Sequence, residues 1–239
     1  MLDSFYPPDG EEPGYKTPWP KVENKLRFRE SELTIWTGAT GHGKSQVVGH
    51  TMVDCIDQGA RTCIASLEMQ PRLTLKRMVK QAGQVDRPTE EYLNQIFQMF
   101  EDQVWLFDLV GTAKLDRLLE IFEYARRRYG CDTFVIDSFM RLGIGKDDYD
   151  GQAKAIYQIL DWVTQKPVHI HLIAHAKEVE GAPDSHAVRG AGEIADNAFN
   201  VIGVWWNKKR DQEIENIETN GGDQEKLMKL KDMPSVTLN

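Results

Sequence analysis

From residue 32 onward, apolar positions follow two alternating rhythms. Short β-rich runs occupy 32–37, 61–67, 104–107, 133–137, 168–174 and 201–206. Between them, apolar residues recur every three or four positions, as in Val47, Val48, Met52, Cys55 and Ile56, then across 71–82 and 88–100. The same spacing returns in Leu115, Leu118, Leu119 and Phe122, and in Ile156, Ile159, Leu160 and Val163. Period two marks a half-buried strand and period 3.6 an amphipathic helix, so the chain predicts strands alternating with helices. That order implies an α/β fold with a mainly parallel central sheet flanked by helices. Right-handed crossovers then place the ligand-binding loops at the carboxyl edge of the sheet.

The flanks carry no such rhythm. Residues 1–30 hold Pro7-Pro8, Pro13-Gly14 and Pro18-Trp19-Pro20, and read as an arm or linker ahead of a domain spanning 31–239. Tyr6, Tyr15 and Trp19 could pack that arm on its own core or on a neighbouring subunit. Ala187 to Phe199 reads as a loop plus a short helix. Residues 207–232 contain six basic and seven acidic side chains and little apolar pattern, which predicts a mobile hairpin or insertion. Ser235 opens what looks like a strand, and the chain stops with no cap or turn, so the natural polypeptide is expected to continue.

Composition narrows the classes. The chain has 239 residues, 41% hydrophobic and 28% charged, ordinary for a globular protein able to bury a core. A formal net charge of -8 argues against whole-surface attraction to nucleic acid or anionic membrane, so any polyanion site must be local. Cys55, Cys63 and Cys131 are isolated in apolar segments and suit packing rather than metal or disulfide. No run approaches the roughly 18 apolar residues of a membrane span, and the first residues lack a signal-peptide build. The expectation is a cytoplasmic protein, of a bacterium or a phage-infected cell, with no membrane partner.

One stretch carries explicit chemistry. Gly38-Ala39-Thr40-Gly41-His42-Gly43-Lys44-Ser45, followed by Gln46, fits the phosphate-binding pattern G-x-x-x-x-G-K-[ST], and it lies between an expected strand and an expected helix. Glycines let the backbone wrap close to phosphate, and the helix N-terminus aims free amides and its positive dipole end at the same place. Lys44 would reach the β- and γ-oxygens, and the Ser45 hydroxyl would ligate Mg²⁺. Phosphoryl transfer then needs a carboxylate for the metal, a group to activate water and a sensor for the terminal phosphate. Asp137 ends an apolar strand and fits the first role. Ser138, directly after it, cannot activate water. Glu68 ends the next strand along the chain and is the candidate base. His175 also follows a strand directly and could bond the terminal phosphate. His169 and His171 alternate with Val168, Ile170 and Leu172 and suit a half-polar sheet face. The loops carrying Lys146, Lys177, Arg189 and Gly190 offer cations and backbone amides to a phosphodiester chain, although acidic neighbours dilute that signal.

Taken together, 38–45, Ser66-Leu67-Glu68-Met69, 134–138, Leu172-Ile173-Ala174-His175 and 189–197 resemble the RecA-like P-loop NTPase domain of hexameric replicative DNA helicases. That family includes DnaB, phage primase-helicases and Twinkle, and the matching pieces lie in its order over about 30–206. The resemblance implies hydrolysis of ATP or another NTP with Mg²⁺ between the subunits of a homo-hexameric ring. It implies movement on single-stranded DNA and contact with primase or other replication proteins. Glu68 would be the base, His175 the γ-phosphate sensor, and the Arg189-Gly190 region a grip on DNA in the central channel. The family's arginine finger would fall just past residue 239, unless Arg210, Lys229 or Lys231 substitutes. A RecA-type recombinase and a DNA-independent regulatory ATPase of the same fold remain the alternatives.

Overall fold

A computed structural model describes residues 13–22, 25–145, 147–175 and 198–238. The strands are β1 (Tyr15–Lys16), β2 (Arg27–Phe28), β3 (Glu32–Thr37), β4 (Thr62–Ser66), β5 (Val104–Leu106), β6 (Thr133–Asp137), β7 (His169–Ile173), β8 (Asn200–Trp206) and β9 (Val236–Leu238). The helices are α1 (Lys44–Asp57), α2 (Pro71–Gly83), α3 (Glu90–Phe100), α4 (Leu115–Tyr129), α5 (Tyr149–Thr164), α6 (Lys208–Asn220) and α7 (Gln224–Asp232). Seven strands form one sheet in the order β5-β4-β6-β7-β3-β8-β9, every pair parallel except β8 with β9. This is the mainly parallel, helix-flanked sheet that the alternating rhythms predict.

Each central strand is buried on both faces, and its side chains divide between two cores. Leu33, Ile35, Cys63, Ala65, Phe134, Ile136, Ile170 and Leu172 face the layer of α4 and α5, meeting Leu118, Phe122, Ile156 and Ile159. Trp36, Ile64, Val135 and Ile173 face the layer of α1, α2 and α3, meeting Val48, Met52, Ile56, Met78, Ile96 and Phe100. All three cysteines are free and buried, as packing residues.

The flanks depart from expectation. The arm holds a short antiparallel hairpin of β1 and β2, too brief to show periodicity. Tyr15, Trp19 and Leu26 pack it on the chain's own core, with the Trp19 and Trp36 ring centroids 6.1 Å apart. Tyr6 lies outside the described residues. The charged stretch 207–232, expected as a mobile hairpin or insertion, carries two helices, α6 and α7. Asn207 caps α6 by accepting from the Arg210 amide, and Asp223 caps α7 by accepting from the Glu225 and Lys226 amides. Ion pairs Lys226–Glu213 (3.3 Å) and Lys231–Glu218 (2.6 Å) join the two helices. Capping and charge pairing replace the apolar stripe that sequence periodicity looks for.

His169 and His171 do not face a half-polar surface; both are buried, because Phe28 of β2 covers that face of the sheet with edge-on ring contacts. His169 bonds the Arg29 carbonyl (2.6 Å) and Thr34 Oγ1 (2.9 Å), and the Trp36 indole donates to His171 Nδ1 (3.1 Å). Burial lowers the pKa of His169 to about 4 and that of His171 well below its ordinary value.

Both imidazoles are therefore neutral in the fold and take up protons on unfolding below about pH 6.5, the ordinary histidine pKa. Stability should be full above pH 6.5 and fall as pH drops from there toward 4, with His169 alone accounting for about 2 kcal/mol between pH 7 and 5. Denaturant titrations at the two pH values test this. His169→Gln, which can still bridge Arg29 and Thr34, should lose correspondingly less on acidification.

Candidate nucleotide site

Parallel register sets the site. Ser66 of β4 pairs with Asp137 of β6, Asp137 with Ile173 of β7, and Trp36 of β3 with Ile173. Four neighbouring strands therefore end in one row, and the residues just past that row face the same rim. The loop 38–43 leaves β3 there. Gly38 has φ +151, and a Cβ on it would lie 2.3 Å from the Val204 carbonyl oxygen of β8, so no side chain fits. Gly43, at φ 84, is the left-handed N-cap that turns the chain into α1.

Lys44 begins that helix, is 6% exposed, and donates from Nζ to the carbonyls of Gly38 (2.8 Å) and Ala39 (3.0 Å). Burial lowers its pKa while Asp137 and Glu68 hold it up. Asp137 is 6% exposed and bonded to Ser45. Burial raises its pKa and so does Glu68, against the Ser45 bond and the charges of Arg77 and Lys44. Beside this pair lies a void of about 30 Å³ with a mainly apolar lining, including Met52, Ile64, Met78 and Val135, and with Ser45, Ser66, Arg77 and Asp137 among its polar members. The Ser66 hydroxyl is buried with no hydrogen-bond partner. A carboxylate, a hydroxyl and an orphaned second hydroxyl are hard oxygen ligands of the kind Mg²⁺ and its waters take, so the residues present fit that ion.

Glu68 stands on the same rim, not the opposite one. Ser138 Oγ donates to its Oε1 at 2.6 Å, with His175 Nε2 at 3.7 Å and Arg141 Nε at 3.9 Å from the same oxygen. His175 Nδ1 reaches the Thr40 hydroxyl at 3.3 Å, so the imidazole lies between the loop and Glu68. Thr40, Gly41, Gly43, Lys44, Ser45, Gln46, Glu68, Asp137 and His175 all line one open cleft of about 200 Å³. His42 lies just outside it; its Nδ1 accepts from the Trp206 amide (3.1 Å), and burial and Lys208 lower its pKa.

Two further residues are missing from the sequence-level set. Arg77 of α2 also lines the cleft and acts on Asp137. It lies one turn after the buried Thr74, so a charge bordering the apolar stripe of α2 was the available signal. Ser138, which cannot itself activate water, instead holds the carboxylate that the neighbouring strand supplies. Lys146, Lys177, Arg189 and Gly190 lie outside the described residues. Arg210 is committed elsewhere: it pairs with Asp211 and donates to the Leu230 (2.8 Å) and Lys231 (3.2 Å) carbonyls, tying α6 to α7.

Comparison with known proteins agrees with this architecture. The chain is 23% identical over 230 residues to the Twinkle homolog protein, chloroplastic/mitochondrial, of Arabidopsis thaliana, covering 87% of this chain and 32% of that protein. It thus spans about a third of that relative's length. Among solved structures it superimposes on a DnaB-like replicative helicase described with its interactions with primase. There the TM-score is 0.76 at 14% identity, over 88% of this chain and 57% of the other. It also superimposes on a second solved structure, described as an ATPase domain, with TM-score 0.73 at 13% identity, over 89% of this chain and 83% of that one. The family profile described as AAA domain matches residues 18–181. With a RecA-like sheet and a phosphate loop at its carboxyl rim, the chain belongs to that AAA domain family and shares the fold of DnaB-like helicase ATPase domains.

Proposed function

We propose that this chain is the NTP-hydrolysing motor domain of a ring-forming DNA helicase, working at subunit interfaces to move on single-stranded DNA and unwind duplex. The observation that carries the reading is the convergence of Lys44, Asp137, Glu68 and His175 on one cleft at the loop. In this reading the amides of 38–45 and the α1 N-terminus bind the β-phosphate of ATP or another NTP, and Lys44 turns from its two carbonyl partners to the β- and γ-oxygens. Ser45 and Asp137 would hold Mg²⁺, which when bound would offset phosphate charge. Glu68 orients and deprotonates the attacking water. Arg77, a fixed cation at the cleft, adds positive charge where negative charge develops. His175 bonds the terminal phosphate and, through Thr40 and Glu68, senses its loss.

Ser138 acts on Glu68 as a positioning residue. Its hydroxyl occupies one carboxylate oxygen and leaves the other for water, so it fixes the base without reacting. Partners follow from the same reading: other copies of the chain in a hexamer, single-stranded DNA, and primase or other replication proteins.

Lys44→Ala should abolish nucleotide binding, whereas Glu68→Gln should bind nucleotide normally and slow hydrolysis by about 10²- to 10⁴-fold in the assembled protein. Isothermal titration and single-turnover hydrolysis separate the two; wild-type turnover in Glu68→Gln would sink the base assignment. Ser138→Ala should lower kcat by about tenfold or more with KM little changed, and Ser138→Thr should recover much of it. The function as a whole is tested by particle shape with non-hydrolysable nucleotide, Mg²⁺ and single-stranded DNA. Closed sixfold rings that unwind duplex support it; filaments or DNA-indifferent oligomers overturn it.

A further inference from the structure

Two contacts hold the phosphate loop against β8, and His42 makes one of them. β3 ends at Thr37, which pairs with Gly203, whereas β8 runs on to Trp206. The Asn207 amide donates to the Ser235 carbonyl at 2.8 Å, toward β9, so the Trp206 amide points the other way, where β3 has ended. His42 takes the place of a strand carbonyl there, accepting through Nδ1 at 3.1 Å. Two residues back on the same side, the Val204 carbonyl stands against Gly38, where no Cβ would fit. The loop is thus pinned at its first glycine by fit and beside its last by one imidazole.

Nδ1 accepts only when the ring is neutral and its proton sits on Nε2. The surroundings favour that state. Burial, Lys208 of α6 and Lys44 of α1 all lower the His42 pKa. Lys208 Nζ lies 3.5 Å from the place of a Cβ on Gly41, on the loop's own flank. Lys21 of the arm, His50 of α1 and Asp211 of α6 border the groove beside His42, and Asp211 is engaged by the Trp206 indole and by Arg210.

We propose that His42 is a positioning residue, a latch between the phosphate loop and the end of β8 that holds the loop's amides in the curve that takes phosphate. The proposal rests on the phosphate-site reading above and deepens it. Glycine loses more conformational freedom on ordering than any other residue, so a loop built on Gly38, Gly41 and Gly43 gains affinity when a contact orders it before phosphate arrives. His42 touches no phosphate in this role. Since Asn207, the cap of α6, directly follows Trp206, the latch also joins the loop to the start of the α6–α7 pair. Protonation would put a hydrogen on Nδ1 facing the Trp206 amide hydrogen. The latch is therefore whole at about pH 6.5 and above, and opens as pH falls below that value.

Equilibrium binding of inorganic tripolyphosphate and of ADP to this chain, each with Mg²⁺, together with hydrogen exchange at the Trp206 amide, tests the assignment. At about pH 8, His42→Ala should weaken both ligands by a similar factor, about threefold to tenfold, and speed exchange at Trp206. His42→Asn carries Oδ1 as many bonds from Cα as Nδ1, and should bind within about twofold of the wild type with the amide still protected. Acidification to about pH 5.5 should then weaken the wild type more than His42→Asn; His175 is present in both, so the difference belongs to His42. An alanine variant that binds like the wild type, an asparagine variant as weak as alanine, or the same acid dependence in wild type and His42→Asn would overturn the proposal. Failure of the phosphate-site reading would look different: Lys44→Ala would then retain tripolyphosphate.

Discussion

In-register pairing of parallel strands is the constraint from which the rest of this molecule follows. Once Ser66, Asp137 and Ile173 are hydrogen-bonded neighbours and Trp36 pairs with Ile173, the residues that follow each strand have no choice of rim. The Leu67 amide donates to the Asp137 carbonyl at 2.6 Å and the Ala174 amide to the Trp36 carbonyl at 2.9 Å, extending the ladder one residue past the strands. Glu68, Ser138 and His175 stand next in line. A slip of one residue in any strand would turn its terminal side chain to the other face of the sheet, so the geometry of the cleft and core packing are enforced by one set of hydrogen bonds.

How much of this is legible in the chain depends on the range of the interaction that produces each part. The phosphate loop, its strand and its helix are local and read directly. The paired strand ends follow from topology alone, which is why Glu68, Asp137 and His175 can be placed on one rim without coordinates. The helices over 208–232 elude periodicity because their stability comes from caps and from ion pairs between the helices, neither of which marks an apolar face. His169 and His171 mislead for a related reason: strand alternation places them on one face, but only the fold shows that Phe28 covers it. Arg77 and Ser138 act on groups 60 and 70 residues away respectively (137 minus 77, and 138 minus 68), a relation that no local pattern encodes.

The site also places two carboxylates from adjacent strands in different surroundings. Asp137 is 6% exposed, and burial raises its pKa although the Ser45 bond and the charges of Arg77 and Lys44 oppose that rise. The Glu68 side chain is 37% exposed, with one oxygen engaged by Ser138 and flanked by His175 and Arg141, and it borders the open cleft where water is admitted. Burial and cations suit the first to a metal ion; access to solvent suits the second to proton transfer.

That difference also bears on the serine that follows Asp137. A carboxylate there would add a third negative charge beside Asp137 and Glu68, in a place that burial already makes costly for Asp137. A hydroxyl adds no charge, donates a bond and takes up none of the stabilisation that Lys44 and Arg77 supply. With Glu68 one strand over, the two carboxylates stand on separate strand ends, a neutral hydroxyl donates to Glu68, and Glu68 lies within reach of the histidine that touches the phosphate loop. Glu68 and the phosphate loop are in this way linked by His175 through side chains rather than through the backbone of one loop.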